Sequence, residues 1–165
     1  MQDIMEEKVA MVFTIMKHKI VFIAIVSAFI WNSCGQNNVN PANIPNVPVN
    51  ITINLDLPQY QNLSFIGNYV YENGGNNGIV IIHYTDGNYY AIDRTCSHDP
   101  LNSCNNIEVN EELTRLKCGT TVSTVFRECC GSQFFMTGQV INGPAIYPLK
   151  NYRVTKSGNY LNISN

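Results

Sequence analysis

The residues best placed to do chemistry are Cys96 and His98, separated by one residue in Cys96-Ser97-His98 and followed by the turn-forming pair Asp99-Pro100. Thiolate sulfur and imidazole nitrogen are ligands for zinc, copper and iron, and from one loop both can aim at a single centre. Cysteines also stand at 34, 104, 118, 129 and 130. If Cys34 has a use of its own, five remain, and a pure disulfide framework would strand one thiol. Some thiolates on a metal together with one bridged pair would use all five. The other titratable residues form no catalytic set. His83 sits on a Val/Ile strand, His18 belongs to the N-terminal segment, and Asp56, Asp86, Asp93 and Asp99 fall on turns and strand ends. No Ser-His-Asp arrangement can be read, so no enzyme active site independent of a metal is expected.

The N-terminal region bears on the redox compartment of these thiols. Ile20 to Trp31 is an apolar run preceded by Lys17, His18 and Lys19 and closed by Asn32, Ser33 and Cys34. It is shorter than the ~20 apolar residues of a spanning helix and fits the apolar region of an export signal behind a basic start. Residues 1–33 are therefore read as a signal peptide, with the natural start at Met11 or Met16 as an alternative to Met1. Cys34 after Ser33 resembles the lipobox of bacterial lipoproteins, whose cysteine is lipidated and becomes the mature N-terminus. Asn32 and Trp31 depart from that pattern, and the alternative is plain secretion. The lipoprotein reading implies a membrane partner through the lipid anchor and a place in the cell envelope, outside the cytoplasm, where cysteines ordinarily pair.

With a net charge of −2 and 13% charged residues, the chain has no basic stripe to neutralise a phosphate backbone, and nucleic acid is excluded as a partner. Residues 34–50 are rich in Asn and Pro (Asn37, Asn38, Pro41, Pro45, Pro48) and read as a flexible tether. From 51 to 165 the apolar pattern has period two. Ile51, Ile53, Leu55 and Leu57 alternate with polar residues up to Pro58. Further strands are expected at 68–71, 79–84, 89–93, 108–109, 114–117, 122–126, 133–136, 139–141, 152–155 and 160–163, with Asp86-Gly87 turning a hairpin. Many short strands and no helical period predict one all-β domain, a sandwich or small barrel.

The last third of the chain carries a longer pattern. Cys129-Cys130-Gly131-Ser132-Gln133-Phe134 is followed by Gly138-Gln139-Val140, by Asn142-Gly143-Pro144-Ala145, and by Leu149-Lys150-Asn151-Tyr152-Arg153-Val154. Together with Cys96-Ser97-His98 upstream, this resembles the Rieske iron–sulfur family over roughly residues 51–163. The family's second ligand loop reads C-x-x-H-G-S-x-[FY], followed by G-x-V, a G-P-A loop and L-x-x-Y-x-V. The resemblance implies an antiparallel β-sandwich or barrel with a small metal-binding subdomain formed by two ligand loops. It also implies a [2Fe–2S] cluster and a one-electron carrier, rather than an enzyme, serving a redox protein that the sequence does not identify.

Here the ligand motif is altered. Cys96 and His98 match the first loop, but Cys130 stands in place of the second histidine and Arg127 in place of the second cysteine. Two registers remain open. In one, Cys118 is the missing cysteine, Gly119–Glu128 is an insertion, and the ligands are Cys96, His98, Cys118 and Cys130. In the other, Val125-Phe126-Arg127 is the delivering strand and the fourth ligand is lost or falls to Cys129. The resemblance further implies a Cys104–Cys129 disulfide, a hydrogen bond from Ser132 to the cluster, and a covering loop of Gly143, Pro144 and Ala145. Phe134 replaces the tyrosine of high-potential members, and the added thiolate also lowers the potential. A zinc site and a cluster-free module acting as a structural or interaction protein are the alternatives.

Overall fold

The computed structural model describes residues 43–165; the expected signal peptide, 1–33, and Cys34, the expected lipidation site, lie outside them. Ten strands are present among the described residues, at Asn50–Asn54 (β1), Tyr69–Glu72 (β2), Ile79–His83 (β3), Tyr89–Asp93 (β4), Ile107–Asn110 (β5), Arg115–Val122 (β6), Val125–Phe134 (β7), Val140–Asn142 (β8), Asn151–Ser157 (β9) and Tyr160–Ser164 (β10). They form two antiparallel sheets. Six strands run in the order β1-β10-β9-β4-β3-β2, and the four that fall between β4 and β9 in the chain make a second sheet, β5-β6-β7-β8. The expected all-β antiparallel architecture is what forms, with the cysteine-bearing loops joined to the four-stranded sheet.

Strand β3 shows how the layers are arranged. Ile79, Val80, Ile81 and Ile82 are all fully buried, and period-two geometry sends them alternately to opposite faces. Val80 and Ile82 join one core with Ile92, Ile107, Leu116 and Phe134, whereas Ile79 and Ile81 join another with Ile53, Leu63, Leu161 and Ile163. The first core also contains Cys96 and Cys118, so the thiols lie in the layer between the two sheets.

Three local features differ from the sequence reading. A 3-10 helix at Pro58–Ser64 follows β1 and buries Leu63. The expected strand at 122–126 is interrupted by a turn, because β6 and β7 form one hairpin in which Val122 pairs with Val125 across Ser123 and Thr124. The described end of the expected tether, residues 43–50, is packed against the domain. Ile44 and Val49 are buried, Lys150 Nζ donates to Pro45 O and Asn46 Oδ1, and Asn165 Nδ2 donates to Val47 O. Cations and amides distant in sequence satisfy a segment whose own composition looks unable to pack.

Candidate metal centre

Cys96 is delivered by the end of β4. Its N–H donates to Asn105 O at 2.6 Å, closing the loop 96–106 on itself, and a Thr95–Asn106 bridge continues the pairing outside it. Two side-chain clamps hold that loop against the β2–β3 connection. Asn77 Nδ2 donates to Asn105 Oδ1 at 2.5 Å, and Asn76 Nδ2 donates to Thr95 Oγ1 at 3.0 Å. Behind them lies the buried carboxylate of Asp93, which accepts from Asn76 N–H, Thr95 N–H, Thr95 Oγ1 and Tyr152 Oη. Four donors are what a fully buried carboxylate needs to offset its desolvation.

Cys118 and Cys130 come from the hairpin. Lys117 pairs with Gln133, and the next pair is Gly119 with Glu128. Two steps along β6 thus match five along β7, so β7 bulges where it carries Cys129, Cys130 and Gly131. Gly131 takes a φ of 72°, in the left-handed region that glycine enters without cost. This bulge turns Cys130 back toward β6 and brings it level with Cys118.

The three sulfurs of Cys96, Cys118 and Cys130 lie within 4.8 Å of one another, with Cys96 Sγ 3.5 Å from Cys130 Sγ. Cys96 and Cys118 are buried and Cys130 is partly so. The Cys118 thiol, helped by the His98 backbone N–H and by Cys130, holds the Cys96 thiol down at about 6 in spite of its burial. Cys118 is correspondingly pushed up, first by Cys96 and then by burial. The close approach of the three thiols favours a shared negative charge, and a thiolate is the form a metal requires.

A third segment closes over the triad. Cys130 Sγ donates to Ser132 Oγ at 3.1 Å, and the same oxygen accepts the Ala145 N–H at 3.1 Å. Ser97 Oγ donates to Tyr147 O at 2.6 Å, so the 143–147 segment is tied to both thiol-bearing loops. Gly143, at φ 107°, runs against the backbone of the bulge; a Cβ there would lie 2.8 Å from Ser132 N and from Gly131 O.

The structure thus places the expected residues as follows. Cys96, Cys118 and Cys130 converge, with Ser132 and the Gly143, Pro144, Ala145 loop beside them. Arg127 instead pairs with Thr120 on the exposed arm of the hairpin. His98 is exposed and is not among the mutually close donors, although its backbone N–H serves Cys96. Cys104 and Cys129 are free thiols. They adjoin, since burial and then the Cys104 thiol push Cys129 up to about 12. The clamps Asn76, Asn77 and Asn105 and the carboxylate of Asp93 were missed in the sequence. Asn in a loop ordinarily signals only a turn.

No protein-family profile matches the chain, and no curated protein does. Among solved structures, the chain is similar to the cyanobacterial plasma membrane Rieske protein PetC3 from Synechocystis PCC 6803, with 23% identity, 59% of this chain and 86% of that one covered, and a TM-score of 0.46. It is also similar to the ferredoxin of carbazole 1,9a-dioxygenase from Nocardioides aromaticivorans IC177, with 19% identity, 72% of this chain and 97% of that one covered, and a TM-score of 0.43.

Proposed function

We propose that this chain is an exported, lipid-anchored metalloprotein of Rieske-like construction that carries one electron at a time on a thiolate-held metal. The observation that carries this reading is the convergence of Cys96, Cys118 and Cys130, from separate segments, on one point between the sheets. Buried free thiols in a structural core need not meet; three that do, one of them held down near 6, form a ligand set. The anchor at Cys34 places the domain outside the cytoplasm, and a bridge between the adjoining Cys104 and Cys129 thiols ties the two loops there.

The donor chemistry of the site fits the group that the resemblance implies, a [2Fe–2S] cluster, since thiolates hold iron. The spacing does not fit it. Such a cluster takes two donors on each iron at opposite ends, whereas these three sulfurs lie on one small triangle and His98 lies outside it. Electron transfer therefore rests here on a thiolate-held iron, and the zinc reading is its non-redox counterpart. Protein purified anaerobically from membranes decides between them. Electron transfer requires bound iron and a single reversible one-electron wave in a redox titration followed by electron paramagnetic resonance. Folded protein holding zinc alone, and silent to the electrode, overturns it in favour of a structural module.

A further inference from the structure

We infer that Cys96, Cys118 and Cys130 together form a site for a single ion of the borderline divalent class, Fe²⁺ or Zn²⁺. The inference rests on the reading that these thiols bind metal, and it fixes how many metals they hold. With a metal–sulfur bond of ~2.3 Å, two thiolates on one ion can stand no more than ~4.6 Å apart, and at the tetrahedral angle they stand ~3.8 Å apart. The sulfurs of Cys96 and Cys130 are 3.5 Å apart, and all three sulfurs lie within 4.8 Å of one another. Thiolates on the two irons of a cluster point away from each other across the bridging sulfides, so their separation must exceed the reach of one ion.

The triangle is also held against opening. Cys96 is fixed by its own N–H to Asn105 O, and Cys118 lies within a paired strand. Cys130 rides on a bulge that Gly143 backs at van der Waals range and that Ser132 ties to Ala145. Spreading the sulfurs far enough for a second metal would break the contact between Gly143 and the bulge and the tie from Ser132 to Ala145. Fe²⁺ and Zn²⁺ share the tetrahedral thiolate preference, and metal analysis of the isolated protein separates them.

The reduced full-length chain, stripped of metal by a chelator, is titrated with Co²⁺ while sulfur-to-cobalt charge-transfer absorption is recorded, and the product is weighed by native mass spectrometry. The expected result is saturation at one Co²⁺ per chain and a mass increase of one ion. Cys96→Ser, Cys118→Ser and Cys130→Ser each weaken binding at least tenfold, and Cys104→Ser leaves it unchanged. Saturation at two ions, or isolated protein holding two irons and two sulfides, overturns the single-ion inference and leaves metal binding standing. Absence of any thiolate-to-cobalt band overturns both. The wild-type stoichiometry decides even where a variant fails to fold.

Discussion

At the residue scale, Ser132 joins the thiol site to its cover. Its fully buried hydroxyl receives the Cys130 thiol and the Ala145 N–H. Ser132→Ala leaves the Ala145 donor unpaired in the interior, a loss of ~1–3 kcal/mol, read as a lower urea midpoint with an unchanged slope. Tyr152 makes a second, pH-dependent case. Burial and then its hydrogen bond to Asp93 raise its pKa well above the ordinary tyrosine value. A folded-state pKa raised above the unfolded one gives stability that is full below about 10, the unfolded value, and is lost as the pH climbs beyond it. Denaturation midpoints therefore fall above that pH, and Tyr152→Phe flattens the fall. An equal slope in both proteins would assign the alkaline loss to other groups.

The site was half legible at this scale. Cys96 in C-x-H and Cys130 before Gly-Ser are local signals. Cys118 against Arg127 could not be decided locally, because the choice depends on a bulge that only strand pairing reveals. The Asn clamps left no sequence signal beyond a preference for turns.

At the element scale, Gly119–Glu128, the stretch that one register of the motif reads as an insertion, forms the outer arm of the β6–β7 hairpin. Strand alternation gave β4 its bounds and placed β2, β3, β9 and β10 within a residue or two, since each has bulky residues in period two between turn formers. The hairpin escaped because Ser123 and Thr124, at φ 50° and 74°, occupy a two-residue turn usually marked by Asn-Gly. A β-branched residue in that region is strained. Replacing both by the favoured pair, Ser123→Asn with Thr124→Gly, is expected to raise stability by ~1–2 kcal/mol. Metal content should not change, because the turn is exposed and lies beyond the Gly119–Glu128 pair that borders the bulge. A loss of metal in this variant would mean that the arm helps to shape the bulge.

At the scale of the whole molecule, the two cores have different dependence on the site. One, built on Ile53, Leu63, Ile79, Ile81, Leu161 and Ile163, contains no thiol. The other places Cys96 and Cys118 among Val80, Ile82, Ile92, Leu116 and Phe134, so the four-stranded sheet packs on β3 and β4 through the core that holds the thiols. Metal binding to preformed donors contributes to folding free energy, and here it should act mainly on the four-stranded sheet. Amide hydrogen exchange of metal-loaded and chelator-stripped protein tests this. Stripping is expected to speed exchange through β5 to β8 and the 96–106 loop by at least tenfold, while β1, β9 and β10 keep their protection, because local opening follows the stability of each cooperative unit. Equal acceleration in both sheets would show that strand β3, buried on both faces, couples the two cores into one unit.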